Sequence, residues 1–131
     1  MAIKVALVSP EREVWSGEAE MVVAQTIEGE IGIRTGHAPV LGVLVDGSLV
    51  KIHPAGGDVI VAAVGSGFFS VADNEVSVLA EQAELGSEVD VSSAREALAA
   101  AQSGGDDVDG NPQAVAERRA RARLRAAGAE A

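Results

Sequence analysis

The sequence predicts an antiparallel β-sandwich or barrel over its first two thirds, followed by a helical C-terminal segment. Three observations carry this expectation. Short runs rich in Val and Ile recur between clusters of Gly, Pro and Asp. No helical period separates those runs, so the crossover helices that a parallel sheet needs are missing. Past Leu85 the apolar spacing changes to that of a helix face.

Taken in order, Ile3, Val5 and Leu7 alternate along a half-buried strand that Ser9-Pro10-Glu11 breaks. Glu13 to Gly17 reads as a short strand and turn, and residues 19–26 (AEMVVAQT) as the next strand. Residues 40–45, 48–52, 58–64, 68–71 and 75–80 follow. They are punctuated by Asp46-Gly47, Gly56-Gly57, Gly65-Ser66-Gly67 and Asp73-Asn74. Between residues 28 and 39 three glycines and a proline fix an unusual backbone path, which is either a plain rigid connection or an exposed contact loop.

In the last third, Val91, Ala94, Leu98 and Ala101 fall on one helical stripe, with Asp90 placed to cap the free amides at its start. Residues 103–110 (SGGDDVDG) read as a loop. Asn111-Pro112 then offers an N-cap and a first-turn proline, and Ala116, Ala120, Leu124 and Ala127 mark a second stripe. Two alanine faces let such helices approach closely and antiparallel. Only Val91, Leu98 and Leu124 carry large apolar side chains, each worth about 1.5–3 kcal/mol when fully buried. Helices this short are marginal alone, which predicts a tail able to dock and undock.

The 131 residues hold one domain and an appendage, and no run approaches the roughly 20 apolar residues of a membrane span. No signal peptide is legible at the start, so a soluble cytoplasmic chain is expected. There is no cysteine, hence no disulfide or thiolate chemistry. The net charge of −10 is unevenly placed: residues 1–111 carry five basic against eighteen acidic side chains, residues 112–131 five arginines against two glutamates. A body this acidic, with one Trp, two Phe and no Tyr, lacks the basic groove and stacking rings of a nucleic-acid binder.

Catalytic chemistry finds equally little to work with. His37 and His53 stand sixteen positions apart with no thiol, and read as surface residues, not metal ligands. Gly65-Ser66-Gly67 leads into a strand and supplies no helix N-terminus for a phosphate. Glu28 with Glu30, and Asp106 with Asp107, have no apolar enclosure to separate their pKa values. Arg118, Arg119, Arg121, Arg123 and Arg125 stand out instead. Positions 118, 121 and 125 form one stripe, 119 and 123 another. A solvated helix end would explain them through the dipole. Five arginines without a lysine on so acidic a chain favour bidentate carboxylate recognition. Binding, not catalysis, is the expectation.

The order and spacing of several segments resemble a known family. Val8-Ser9-Pro10-Glu11, Trp15-Ser16-Gly17, residues 28–33 (EGEIGI) with Gly36-His37-Ala38-Pro39, then residues 64–68 (VGSGF) and 76–80 (VSVLA), are similar to the epsilon subunit of bacterial F-type ATP synthases. The GEIGI and GHAP pair is the specific part. The likeness runs from about Ala2 to Ala101, and the alanine- and arginine-rich end matches in character.

This resemblance implies a β plus α fold: an antiparallel β-sandwich of about ten strands over residues 1–86, then a two-helix hairpin in a regulatory domain over 87–131. It implies a non-catalytic rotor subunit in the central stalk of a proton-translocating ATP synthase, peripheral on the cytoplasmic face of the cell membrane. Its partners would be the gamma subunit and the c-ring of the membrane sector, contacted through Glu30, Ile31, Gly32 and His37. The helices would move between a compact and an extended form, and Arg118, Arg119, Arg121, Arg123 and Arg125 would inhibit ATP hydrolysis by pairing with acidic segments of the beta subunits in the alpha–beta head. Some members bind ATP through an Ile-Asp-x-x-Arg-Ala segment. Residues 91–96 (VSSARE) keep its arginine, Arg95, the one possible ATP contact, but lose its aspartate and alanine, and a register that keeps Val89-Asp90 displaces Arg95 by two positions, so no cofactor is expected. The reading from a different class is a free-standing β-sandwich adaptor or ligand-binding module.

Overall fold

A computed structural model describes residues 2–103 and 112–129. Its strands are β1 (Ile3–Val8), β2 (Glu13–Ala19), β3 (Met21–Thr26), β4 (Gly29–Arg34), β5 (Val40–Leu44), β6 (Ser48–His53), β7 (Ile60–Val64), β8 (Gly67–Ala72), β9 (Glu75–Ala80) and β10 (Ala83–Leu85). A single 3-10 turn at Gly86–Glu88 leads to helices α1 (Val91–Ser103) and α2 (Pro112–Ala126).

The strands form two layers. One runs β10-β7-β6-β3-β4, the other β5-β8-β9-β1-β2. They join at one corner, where Thr26 of β3 pairs with Leu44 of β5 and the amides of Ile27 and Val45 donate to the carbonyls of Val43 and Gln25. The inner faces meet in one core. Val22, Ile33, Val50, Ile52 and Val64 come from the first layer, and Ile3, Leu7, Phe69, Val76 and Val78 from the second. Alternation along each strand explains the assignment: in β1, Ile3, Val5 and Leu7 are buried while Lys4 is exposed.

Three expectations are corrected, and one strand is added to those read along the chain. The segment at 28–39 is not merely a connection, because Gly29–Arg34 pairs antiparallel with the whole of β3, from Thr26↔Gly29 to Met21↔Arg34. Gly17 does not end a strand. It lies within β2 opposite Val5, and a Cβ there would stand 3.0 Å from the Trp15 ring. The chain instead bends at Glu20, whose amide donates to the His53 carbonyl. Strand β10 carries no β-branched residue and has no local signal. Finally, β1 and β9 run parallel, the one exception to antiparallel pairing among the described strands.

The Asp90 cap is present: its Oδ1 accepts from the Ser93 amide at 3.1 Å. In α1, Ala94 is buried and Val91 and Leu98 are half-buried. Ser103, expected in the loop, is the last residue of α1, and the rest of that loop at 104–110 and the expected cap at Asn111 lie outside the described residues. On α2 the expected stripe holds at Ala120 and Leu124, both buried, but Ala116 is exposed and Ala122 is buried. The physical reason is that α2 is covered on two sides, by α1 and by β7 with neighbouring β6 and the 3-10 turn.

Candidate functional site

The first candidate surface is the seam between α2 and the sandwich. Two glycines let the helix lie flush. Gly47 sits at φ +77°, as the turn between β5 and β6 requires, and a Cβ there would be 2.8 Å from the backbone of Arg118. A Cβ on Gly86 would run into the carbonyl oxygen of Ala126. Arginines lock the same seam. Arg119 Nε and a terminal nitrogen donate to the two carboxylate oxygens of Asp46 at 2.8 and 2.9 Å, a bidentate pair that holds the guanidinium's pKa above its ordinary value. Arg123 Nε donates to Glu84 Oε1 at 2.8 Å.

Arg121 donates instead to Glu117, one turn back on α2, at 3.0 Å. Glu117 also accepts from Gln102 Nε2 of α1, and these two partners, Arg121 foremost, keep its carboxyl below the usual value. Arg118 and Arg125 are exposed, with no ion pair among the described residues. A cleft of about 430 Å³ opens beside the seam, lined by Arg12, Glu81, Glu84, Arg119 and Arg123 among others. Carboxylate recognition by this helix is therefore present within the chain itself, at Asp46, Glu84 and Glu117.

The second candidate is the surface expected at Glu30, Ile31, Gly32 and His37. Glu30 and Gly32 are exposed, whereas Ile31 points inward and packs half-buried on the core. His37 is half-buried in the turn after β4; its amide donates to the Arg34 carbonyl at 3.1 Å and its Nδ1 lies 2.7 Å from the Ala38 carbonyl. At about 3.3 Å of rise per residue, Glu30 is already some 13 Å from Arg34. Glu30 and His37 therefore lie toward opposite ends of β4 and are not brought together.

The third surface was not singled out from the sequence. On the outer face of the second layer, Val43, Phe68, Leu79 and Val8 stand side by side across four strands through the pairs Val43↔Phe68, Phe68↔Leu79 and Val8↔Leu79. Leu41, two residues before Val43 on the same face, is 72% exposed, Phe68 44% and Leu79 39%. A shallow groove at this row also takes in Pro10 and Gly67. Adjacent Phe68 and Phe69 in a strand held the signal, since alternation buries only one of them, and Phe69 is the buried one.

The remaining candidates gather little. Arg95 is exposed on α1 and His53 is half-buried at the end of β6. Among the described residues no group of His, Asp and Glu is placed to hold a metal ion, and no helix is long and apolar enough to cross a membrane.

Comparison with known proteins bears on these surfaces. Residues 2–86 match the family model described as ATP synthase, Delta/Epsilon chain, beta-sandwich domain. The chain is 53% identical over 125 residues to the ATP synthase epsilon chain of Streptomyces coelicolor, covering 95% of this chain and 94% of that one. It is 52% identical over 130 residues to the epsilon chain of Thermobifida fusca, covering 96% and 92%. The relative from Rhodococcus opacus is 51% identical over 122 residues, covering 93% and 96%. Among solved structures, a chain of the Euglena gracilis mitochondrial ATP synthase assembly of OSCP, F1 and c-ring superposes with a TM-score of 0.78 at 21% identity, over 96% of this chain and 81% of that one. A chain of the Tetrahymena thermophila central stalk and c-ring superposes at 0.57, with 19% identity, over 92% and 91%. These two show a shared fold.

Proposed function

This chain belongs to the ATP synthase delta/epsilon family as an epsilon subunit, and from that premise we propose that it is a non-catalytic rotor element coupling the gamma subunit to the c-ring. The domain division is residues 1–86 for attachment and 87–131 for regulation. The outward-facing apolar row of exposed Val43, Phe68 and Leu79 with half-buried Val8 carries the reading. It is a contiguous patch on a rigid sheet, and an apolar face of this kind suits a permanent protein contact, here with gamma. Glu30, Gly32 and His37, on exposed or half-exposed backbone along and beyond β4, supply polar groups toward the loops of the c-ring, with Ile31 supporting them from beneath.

The tail regulates in this reading. Helix α2 rests on the sandwich through partly exposed ion pairs and alanine, with Leu124 its one large fully buried anchor among the described residues. Such a seam favours a reversible dock, from which the helix extends so that its arginines meet carboxylates on the alpha and beta subunits and slow hydrolysis. Residues 91–96 (VSSARE) keep the arginine but not the aspartate and alanine of the family's ATP-binding segment, so ATP sensing is not included. The assembled protein is placed on the cytoplasmic face of the membrane, peripherally.

Co-purification with gamma tests the reading against that of a free-standing adaptor. The unaltered chain is expected to bind gamma and to be monomeric alone. Phe68→Glu with Leu79→Glu, both on the outer face, should abolish binding while leaving the fold intact. Failure of the unaltered chain to bind gamma would overturn the proposal.

A further inference from the structure

The five arginines of α2 are not equivalent in position, and their placement assigns them different tasks. Arg119 and Arg123 are four residues apart, on one helix face, and both are committed to carboxylates of the sandwich that lie far away in sequence, Asp46 and Glu84. Arg118 and Arg125 are seven residues apart, on a different face, exposed and without an ion pair among the described residues. Arg121 is held on its own helix by Glu117, which Gln102 ties to α1. We infer that Arg119 and Arg123 are the latch that keeps the tail docked, while Arg118 and Arg125 form the surface that meets an acidic partner.

Three further features support the division. Gly47 and Gly86 remove the Cβ atoms that would hold α2 off the sheet, at Arg118 and Ala126 respectively, so the helix is seated at both ends of the stretch that bears the latch. Gly65 is buried beside the latch, where a Cβ would lie 3.7 Å from Arg119 Nε. The latch carboxylates belong to loop and edge positions, Asp46 in the β5–β6 turn and Glu84 on β10. Neither is needed to form the core.

The inference rests on the reading of α2 as a brake, and it adds a sign that the reading alone lacks. Removing latch carboxylates releases the helix and strengthens inhibition. Removing Arg118 and Arg125 leaves the helix docked and weakens inhibition. Uniform arginine removal would blend these opposite effects.

Hydrogen exchange of the α2 amides in the full chain measures docking directly, with β6 and β9 amides reporting that the sandwich stays folded. Asp46→Asn with Glu84→Gln should speed α2 exchange roughly tenfold, since each partly exposed pair is worth up to about fivefold. Arg118→Gln with Arg125→Gln should leave it unchanged. The exchanged pair Asp46→Arg with Arg119→Asp should restore protection lost in Asp46→Arg alone. In assembled ATP synthase the first variant should lower ATP hydrolysis and the second raise it. Unchanged α2 exchange in the carboxylate variant, or equal loosening in the Arg118/Arg125 variant, overturns the latch. Loosened exchange with unchanged hydrolysis supports the latch and overturns the brake.

Discussion

Asn74 Oδ1 accepts a hydrogen bond from the Gly36 amide at 2.7 Å, tying the turn after β4 to the β8–β9 turn of the opposite layer. Asn74 and its neighbour Asp73 hold φ angles of 61° and 51°, and the Asn74 carbonyl accepts from Lys4 at 2.9 Å. One residue thus completes a left-handed hairpin turn, a role that Asn tolerates, and clamps the loop bearing His37.

Replacing Asn74 by Gly keeps the turn and removes the clamp. The Gly36 amide should then exchange about tenfold faster, and stability should fall by about 1 kcal/mol, the net worth of one hydrogen bond. Asn74→Asp retains an acceptor and should keep Gly36 protected. Equal Gly36 exchange in the unaltered chain and Asn74→Gly would show that the clamp does not form in solution.

Gly42 and Phe69 are opposed across β5 and β8, and a Cβ on Gly42 would collide with the Phe69 ring. Phe69 is among the largest fully buried side chains. Gly42→Ala should therefore overpack the core and cost about 1–3 kcal/mol. Phe69→Ala should leave a cavity and cost about 3–5 kcal/mol. Because the two sites touch, the double variant should cost less than the sum of the single ones, as a denaturant titration of all three would show. Strict additivity would contradict the contact.

Most of the sandwich was legible because β-branched runs and turn glycines are local signals. Strand β4 was hidden by its own glycines: Gly29 at φ +128° and Gly36 at +85° do make turns, but Gly32 between them is ordinary strand opposite Val23. The parallel pairing of β1 with β9 joins residues some seventy positions apart and leaves no mark on either segment. The seam shows the same limit. Five arginines announce carboxylate recognition, yet Asp46 lies 73 residues from Arg119 and Glu84 39 from Arg123, so their partners emerge only when the fold brings them together.

A further long-range pair makes stability depend on pH. Arg12, in the loop after β1, donates through both terminal nitrogens to the Glu88 carboxylate, at 2.7 and 3.1 Å, fastening the 3-10 turn that precedes the tail. The Arg12 hydrogen bonds hold the Glu88 carboxyl below its ordinary value, with a smaller contribution from the Leu85 amide, while partial desolvation opposes them. A carboxyl whose folded pKa is depressed stabilises the fold above its unfolded pKa, and that contribution is lost as pH falls through the folded value. Arg12 stays protonated throughout. Glu88→Gln should therefore lower the denaturation midpoint at neutral pH, and the gap between the two proteins should narrow as pH drops below the ordinary carboxylate range. High salt should shrink the neutral-pH gap as well, because both partners are substantially exposed. A gap that stays constant from neutral pH to well below the carboxylate range would mean that Glu88 acts through packing and not through its charge.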